Sequence, residues 1–371
     1  MQKKELIGLS GQQMEELLVG CGEPAYRGRQ LFYALYHNRQ WDLLKITTFS
    51  ARLRRRLDQQ FQATLPQIEK KFLSSDGTAR YLLRLSDGKE IETVLMPEKE
   101  RNTICLSTQV GCAMDCKFCL TGVMGFQRNL TPGEIVGQVL LLMQENGLET
   151  GPAERDGKSA GRLNLVFMGM GEPLLNYDNV MEAVRLLADP DGMALSTAHM
   201  TLSTSGIVSG IMLLGGEAIR PKLAVSLNAT TDEVRDRIMP INRKWPLAEL
   251  LQACRDFSLR PREQLTFEYV LLDGVNDTIE DAGRLSKLLR GIRAKINLIG
   301  LNPGAELPFQ TPPDERIFRF QQALIQKGIP AYIRKPRGRD IFAACGQLKL
   351  AGAPDMEERT ESVSENPFSN G

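Results

Sequence analysis

The sequence of 371 residues lacks the features that define several classes of protein. No apolar run approaches the about 18 residues that a membrane-spanning helix needs, so we expect no transmembrane segment and no membrane partner. Residues 1–17, MQKKELIGLSGQQMEEL, become polar too early to hold the apolar core of a signal peptide, which predicts a cytoplasmic protein. The hydrophobic share of 42% and the charged share of 25% exclude a collagen-like, coiled-coil or wholly disordered chain.

A large excess of positive charge is also missing, because 46 basic and 45 acidic residues give a formal net charge of +1. Residues 351–371 hold five of the acids and one arginine, which leaves residues 1–350 with 45 basic and 40 acidic groups. We therefore expect an RNA partner to be bound by local basic patches rather than by a global field. The acidic segment 351–371 has little apolar surface to bury, and we predict that it is a disordered tail.

Seven cysteines, an odd number in a chain that looks cytosolic, do not indicate a disulfide scaffold, and three of them fall within eight residues. Cys112, Cys116 and Cys119 stand in GCAMDCKFC, a C-x3-C-x2-C spacing. Thiolates are the soft ligands that iron–sulfur clusters require. Three thiolates can hold three irons of a cubane cluster and leave the fourth iron open, which indicates catalysis rather than electron storage.

A shortage of histidine weakens the main alternative, a structural zinc site. Such a site needs four Cys or His ligands in a closed tetrahedron. The sequence has only His37 and His199, and neither is near the three cysteines. Zinc binding and chance proximity of the cysteines stay open as the weaker interpretations.

The order of patterns along the chain predicts an α/β protein with an accessory region before a catalytic core. Residues 1–62 read as helical, with Ser50 as an N-cap, and residues 63–100 read as a small β extension with turns at Ser75-Asp76-Gly77 and Ser86-Asp87-Gly88. Within residues 101–350, six apolar strands alternate with helices: TICLST, LNLVFMG, MTLSTSG, KLAVSLN, LTFEYVLL and KINLIGL. This alternation predicts a parallel sheet forming a full or partial barrel rather than a small flavodoxin-like sheet, with the active site at the carboxyl ends of the strands.

Several motifs in combination resemble those of the RlmN/Cfr family of radical S-adenosylmethionine (SAM) adenine methyltransferases. They are QVGCAMDCKFCLTGVMGFQRNLTPGEI, VFMGMGEPLLN, TLSTSG, IMPIN and RGRDIFAACGQL, and the resemblance covers roughly residues 15–350. It implies the α/β radical SAM fold, a TIM-like partial (β/α)6 barrel with an N-terminal helical and small-β accessory domain. It also implies a [4Fe–4S] cluster with Cys112, Cys116 and Cys119 as ligands, a fourth iron open to SAM, and two SAM molecules per turnover.

The resemblance further implies the reaction, the methylation of an adenine ring carbon in RNA. The expected substrates are an adenosine of 23S rRNA near the peptidyl transferase centre and the adenosine 3′ of the tRNA anticodon, with a cytosolic reductant as electron donor and a monomeric enzyme. QVGC before the cluster motif and GFQRNLTPGEI after it favour methylation of C2. Methylation of C8, as in the antibiotic-resistance branch, is the close alternative.

The family's catalytic residues match three positions of this sequence. The cysteine that receives the methyl group matches Cys345, the cysteine that releases the product by disulfide formation matches Cys105, and the base that removes the ring proton matches Glu92. The basic run RKPRGRD before Cys345 is independent support, because nearby positive charges lower a thiol pKa and can also hold RNA phosphates. The alternatives are core packing for both cysteines and a solvent-facing edge position for Glu92.

The family's SAM contacts match residues at the strand ends, where ordinary turn and cap residues are the alternative. Many relatives carry His at the position of Asn228, and Asn cannot carry its charge. We expect Glu172 to accept hydrogen bonds from the SAM ammonium. The matching residues are Gly171, Glu172, Ser203, Ser226, Leu227, Asn228 and Asn302.

The N-terminal region mixes arginines with aromatic residues in AYRGRQLFYALYHNRQW, and FSARLRRRL follows. Such side chains can hold phosphates and stack on unpaired bases. We expect most of these aromatics to be helix core and the arginine run Arg52–Arg56 to contact RNA. Two distant alternatives for the whole chain are a radical SAM activase or sulfur-inserting enzyme and a zinc-stabilised RNA-binding protein.

Overall fold

The computed structural model describes residues 3–148, 162–302, 307–344 and 346–348. Its N-terminal region is helical, as predicted. Ser50 caps the third helix by accepting a hydrogen bond from the Leu53 amide (3.3 Å), and Gly28 lets the first two helices touch, because a Cβ there would lie 2.3 Å from the Glu15 backbone. The elements are β1 (Lys4–Glu5), α1 (Gly11–Gly20), α2 (Tyr26–Phe32), a π-helical turn (Tyr33–His37), a 3₁₀ turn (Leu43–Lys45), α3 (Ala51–Gln60) and β2 (Phe61–Gln62).

The rest of the described chain holds the remaining strands, in two successive arrangements. Antiparallel hairpins come first, and βα units follow. The elements are β3 (Gln67–Leu73), β4 (Ala79–Arg84), β5 (Glu90–Glu98), β6 (Arg101–Cys105), β7 (Gln109–Gly111), α4 (Leu120–Val123), β8 (Phe126–Asn129), α5 (Pro132–Glu145), β9 (Arg162–Phe167), α6 (Tyr177–Ala188), β10 (Met200–Thr204), α7 (Val208–Gly216), β11 (Lys222–Ser226), α8 (Asp232–Ile238), α9 (Leu247–Asp256), β12 (Leu265–Leu271), α10 (Ile279–Leu288), β13 (Ala294–Gly300), α11 (Asp314–Gln326) and β14 (Ala331–Ile333).

One mixed sheet joins the accessory β region to the catalytic core. Its ten strands follow the order β3-β4-β5-β6-β9-β10-β11-β12-β13-β14. Pairing is antiparallel from β3 to β6 and parallel from β6 to β14. The six predicted strands are confirmed as β6 and β9–β13, and both predicted turns are confirmed in the β3–β4 and β4–β5 hairpins. The short hairpin of β7 with β8 and the edge strand β14 were not predicted.

The side-chain contacts of β5 show which face of the sheet looks into the barrel. Thr93 donates a hydrogen bond to Gln138 on helix α5 (2.6 Å), so this residue faces the helix layer. Successive strand residues point to opposite faces, and Glu92 and Val94 therefore face the barrel interior. On β10 and β11, Leu202 and Val225 are buried, whereas the intervening Ser203 and Ser226 are half-buried.

The parallel part of the sheet thus has an apolar side under the helices and a more polar side at the barrel interior. This arrangement aims the carboxyl ends of the strands at one mouth. No helix in the described part of the chain is long and apolar enough to cross a membrane.

Candidate active site

The three clustered cysteines lie on one loop between β7 and α4. The β7–β8 hairpin closes the base of this loop, where the Cys112 amide donates to the Gly125 carbonyl (2.9 Å). Gly111 has a φ of +75°, and a Cβ there would lie 1.8 Å from the Gly125 carbonyl oxygen. Only glycine allows this approach, so the residue before Cys112 sets the start of the loop.

Burial and the nearby thiols make Cys112 and Cys116 resist ionisation in the absence of a cation. Burial raises the pKa of Cys112 to about 12, with Cys119 and Glu172 acting in the same direction. Burial also raises the pKa of Cys116 well above its usual range, followed by the effects of Cys119 and Cys112. Because Cys119 acts on both of these thiols and Cys112 acts on that of Cys116, the three side chains lie close together. A bound cation would supply the charge that stabilises the thiolates.

The donor set of this loop fits an iron–sulfur cluster. Among the described residues, no three His, Cys, Asp or Glu side chains are grouped as ligands of a single metal ion. In a cubane cluster each cysteine ligates a different iron, so the three sulfurs need not converge on one point. Cys112, Cys116 and Cys119 are all half-buried, which keeps them accessible from the barrel mouth.

The carboxylate of Glu172 joins the ends of β9 and β10. One of its oxygens accepts from the Ser205 amide (2.7 Å) and hydroxyl (2.8 Å), and the other accepts from the Leu174 amide (3.1 Å). Burial raises the pKa of Glu172, and the Ser205 hydrogen bonds oppose that shift. Gly171 has a φ of +103°, and a Cβ there would lie 2.6 Å from the Cβ of Gln109. The backbone therefore holds this carboxylate in one orientation.

Arg235, on helix α8, is a buried cation that the sequence patterns did not single out. Its guanidinium donates to the carbonyls of Ser205 (2.6 Å), Ser226 (3.2 Å) and Leu227 (3.0 Å). Burial lowers the pKa of Arg235 to about 10, and Cys116 opposes the shift. Arg235 thus ties the ends of β10 and β11 together beside the cysteine loop. The sequence signal was faint, a cation three residues before Ile238 on the buried face of a short helix.

The remaining matched SAM positions lie at the ends of β10, β11 and β13. Ser203 and Ser226 occupy the same face, because Ser203 pairs with Ala224. Asn228 has a φ of +58° and is buried; its side-chain oxygen accepts from the Val270 amide (2.8 Å). The Asn228 side chain therefore also holds β12. Leu227 and Asn302 are buried at the ends of their strands.

Glu92 and Cys105 face the same side of the sheet. Cys105 on β6 pairs with Val94 on β5, two residues beyond Glu92, so all three side chains point into the barrel. Cys105 is 8% exposed. Arg80 on β4 also pairs with Val94 and forms an ion pair with Glu92 in which both side chains are 1% exposed.

A hydrogen-bond chain connects Glu92 with the glycine-rich end of β9. The Ser107 hydroxyl donates to the Glu92 carbonyl (2.6 Å) and accepts from the Met170 amide (2.9 Å). Arg80 lies under the ring of Phe72, 4.2 Å from its centroid, and burial lowers the pKa of Arg80, with Glu92 acting against that shift. Sequence reasoning missed Arg80, although its place in the alternating run ARYLLR marks an inward position.

Cys345 lies outside the described residues, so its match to the methyl-accepting cysteine stays a prediction. The chain just after it contacts helix α4, which directly follows the cysteine loop: the Leu120 amide donates to the Gly346 carbonyl (2.8 Å), and the Thr121 hydroxyl donates to the Leu348 carbonyl (2.7 Å). In the preceding basic run, Arg337 forms an ion pair with Asp76 (3.1 Å). Arg334, Lys335 and Arg339 are exposed.

The N-terminal region divides its aromatic residues between core and surface. Phe32 and Tyr36 are buried, as predicted, but Tyr26 and Tyr33 are exposed. A cavity of about 520 Å³ lies beside Tyr33. On α3, Arg54 is half-buried and donates to the Leu44 carbonyl (2.5 Å), whereas the other arginines of the run face solvent: Arg52, Arg55 and Arg56.

Comparison with known proteins assigns the chain to a class. Residues 153–285 match the model of the radical SAM superfamily, and residues 4–63 match that of the ribosomal RNA large subunit methyltransferase N-terminal domain. A crystal structure of a radical SAM methyltransferase from Sphaerobacter thermophilus has a TM-score of 0.86 and 43% identity, with 93% of this chain and 99% of that one covered. The fold is that of a radical SAM enzyme.

Curated relatives narrow this class to one family. A probable dual-specificity RNA methyltransferase RlmN from Koribacter versatilis is 52% identical over 344 residues, which covers 88% of this chain and 96% of the relative. A dual-specificity RNA methyltransferase RlmN from Geobacter sulfurreducens is 47% identical over 368 residues and covers 97% of this chain and 98% of its own length. This chain belongs to the RlmN family.

Proposed function

We propose that this protein is a cytoplasmic radical SAM enzyme that methylates C2 of adenosine in 23S rRNA and in tRNA. The rRNA target is an adenosine of the peptidyl transferase region, and the tRNA target is the adenosine 3′ of the anticodon. The observation that carries the proposal is one barrel mouth that combines the cysteine loop, the buried carboxylate of Glu172 and the inward-facing pair of Glu92 and Cys105. The relatives' common description as dual-specificity RNA methyltransferases supports both RNA substrates.

The cysteine loop and the strand ends would hold the cofactors. Cys112, Cys116 and Cys119 are the proposed ligands of a [4Fe–4S] cluster, whose fourth iron stays open to SAM. Bound together, the cluster and SAM supply radical chemistry, which an adenine ring carbon needs because it is not nucleophilic. Glu172 would accept from the SAM ammonium with the lone pairs that Ser205 and Leu174 leave, while the remaining contacts come from Gly171, Ser203, Ser226, Leu227, Asn228 and Asn302.

Three residues of the chain would act on the methyl carbon and the adenine. Cys345 carries the carbon to C2, Glu92 removes the C2 proton, and Cys105 forms a disulfide with Cys345 to release the methylated base. Support for Glu92 comes from its ion pair with Arg80, because a nearby guanidinium favours the ionised carboxylate that can accept a proton. Support for Cys105 comes from its position on the same sheet face as Glu92.

We also propose a role for each region of the chain. We assign RNA binding to residues 1–62. Residues 63–100 form a β extension that contains Glu92. Residues 101–350 are the catalytic core, and residues 351–371 are a tail. The exposed Tyr26 and Tyr33 and the solvent-facing arginines of α3 support the first assignment. Because Glu92 is buried, the target adenosine must leave its base stack to reach it. We further propose that the enzyme is a monomer and that an external reductant supplies its electrons.

Nucleoside mass spectrometry tests the reaction and its regiochemistry together. The full chain or its Cys345→Ala variant is expressed in a host that lacks its own enzyme of this family, and 23S rRNA and tRNA are digested separately. We expect 2-methyladenosine in both RNAs with the unaltered chain and in neither with the variant. Appearance of 8-methyladenosine instead would assign C8, and absence of both from a host whose enzyme carries its cluster would contradict the proposal.

A further inference from the structure

The chain just before Cys345 is fastened to the turn between β3 and β4. Asp340 accepts from the Ser74 hydroxyl (2.6 Å) and the Ser75 amide (3.1 Å). In return, Asp76 accepts from the Gly338 amide (3.1 Å). We call these contacts, together with the Asp76–Arg337 ion pair, the clasp; its members are Ser74, Ser75, Asp76, Arg337, Gly338 and Asp340.

The clasp is reciprocal, because the turn and the segment before Cys345 each supply a carboxylate that accepts a hydrogen bond from a backbone amide of the other. The turn is ordered for this contact, since Asp76 also accepts from the Thr78 amide (2.8 Å). Gly338 has a φ of +61°, and a Cβ there would lie 2.8 Å from the Cγ2 of the buried Thr78. Arg337 adds a hydrogen bond to the Pro97 carbonyl (2.9 Å) at the end of β5. Side-chain contacts, backbone contacts and the need for glycine at position 338 thus all favour this one arrangement of the segment against the turn.

Both carboxylates of the clasp are ionised at neutral pH. Burial acts to raise the pKa of Asp76, but hydrogen bonds from Thr78 and Gly338 outweigh it and hold that pKa at about 2. The Ser74 hydroxyl is the main cause that lowers the pKa of Asp340. Charge-assisted hydrogen bonds are stronger than neutral ones, so these contacts add to the hold that the buried Ile341 and Ala343 give this segment.

The same segment is fastened again beyond Cys345. The Gly346 and Leu348 carbonyls accept from Leu120 and Thr121, which directly follow the last cysteine of the loop. Cys345 is five residues after Asp340, a reach of at most about 18 Å. The β3–β4 turn on one side and the cysteine loop on the other therefore bound the span that contains Cys345.

We propose that the clasp is a positioning element that sets the Cys345 thiol for methyl transfer from SAM, with Asp76 and Asp340 as its positioning residues. This inference rests on the proposed function, in which Cys345 carries the methyl group. The step itself is balanced without an electron: the sulfonium–methyl bond of SAM breaks, a thiolate–methyl bond forms, and S-adenosylhomocysteine leaves. Because the leaving and accepting sulfurs must align, loosening the loop slows the transfer without weakening SAM binding.

The test compares the Asp76→Asn/Asp340→Asn double variant with the unaltered enzyme and with Glu69→Gln. Glu69 pairs with Arg84 on the same hairpin and has no contact with residues 337–341 among those described, so its variant is a matched loss of one ion pair. On the cluster-loaded enzymes we would measure the rate of Cys345 methylation by peptide mass spectrometry, without reductant. SAM affinity, iron content and Tm are measured in parallel.

We expect the double variant to methylate Cys345 about tenfold more slowly, with SAM affinity unchanged and Glu69→Gln at the normal rate. A purely structural role would lower the Tm and leave the rate per folded enzyme unchanged, and that result would overturn the proposal. If the double variant folds poorly, Ser74→Ala keeps both carboxylates and is expected to slow methylation about threefold, whereas a normal rate in that variant would equally overturn it. Absence of methyl on Cys345 of the unaltered enzyme would instead refute the proposed function.

Discussion

The two sides of the barrel mouth hold their charged groups in different ways. On the cofactor side, at the ends of β9–β11, main-chain groups fix the charges: Glu172 accepts from amides, and Arg235 donates to carbonyls. On the accessory side, at β4 and β5, two side chains of opposite charge pair with each other, Arg80 with Glu92. A charge held by the main chain moves only if a strand end moves.

This difference matches two different tasks. A cofactor that is bound in one pose profits from rigid partners, since preorganised dipoles lose little on binding. The proposed base Glu92 and the proposed carrier thiol of Cys345 would change their proton or covalent partners during turnover, so their supports must tolerate such changes. The hydrogen bonds of Ser107 with Glu92 and Met170 connect the two sides, although the two sides hold their charged groups differently. Substitutions that affect one side only can test this contrast.

The largest expected effect comes from removing a cluster ligand on the cofactor side. Cys112→Ala leaves two thiols for the cluster, so we expect loss of the iron–sulfur absorbance and of all adenosine methylation. Iron and sulfide analysis with visible spectroscopy measures this directly. Cys21→Ala, at the end of α1, serves as the control and should keep the cluster. Full iron and sulfide in Cys112→Ala would remove Cys112 from the ligand set.

On the accessory side, Arg80→Met should abolish adenosine methylation while Cys345 still receives its methyl group. Removing one partner of a buried ion pair costs about 3–5 kcal/mol, because the other charge is left uncompensated. Burial then favours the neutral acid of Glu92, so any residual activity should rise at higher pH than in the unaltered enzyme. Rates of RNA methylation across pH, beside the Cys345 methyl content, measure both effects.

A double variant separates stability from chemistry at this pair. Arg80→Met/Glu92→Gln removes both charges, and we expect it to recover much of the free energy of unfolding but none of the RNA methylation. Denaturant unfolding of the single and double variants gives the coupling. An active double variant would show that Glu92 is not the base.

A smaller effect is expected from Glu172→Gln on the cofactor side. The variant keeps an oxygen that can accept from a backbone amide but loses the charge that attracts an ammonium. We expect SAM affinity to fall about tenfold with little change in iron content, because a charge-assisted contact becomes a neutral one. Equilibrium binding of SAM to the cluster-loaded enzyme measures this change. Unchanged affinity would show that the ammonium lies elsewhere.

Sequence patterns predicted the local features of both sides but not the contacts that join them. Six strands, two hairpin turns and the cysteine loop follow from apolar periodicity and residue spacing, which act over a few residues. β14 has three residues, too few to show a period. The clasp joins Ser74 to Asp340, 266 positions apart, and its pairing depends on how the whole sheet closes. Likewise, the Arg80–Glu92 pair depends on strand register, which the sequence indicates only through alternation.

The smallest effect should come from a change outside both sides, on the solvent-facing arginines of α3. Arg55→Gln/Arg56→Gln removes two cations, so RNA affinity should fall a few-fold and depend less steeply on salt, since fewer counterions are released from phosphates. Cys345 methylation, which needs no RNA, should stay normal. Filter binding at several salt concentrations measures the slope, with Lys287→Gln/Arg290→Gln on the barrel's helix layer as the charge-matched control. An equal loss of RNA affinity in that control would mean that α3 contributes only net charge. A loss of affinity confined to the α3 variant would show that RNA contacts α3, a region outside both sides of the mouth.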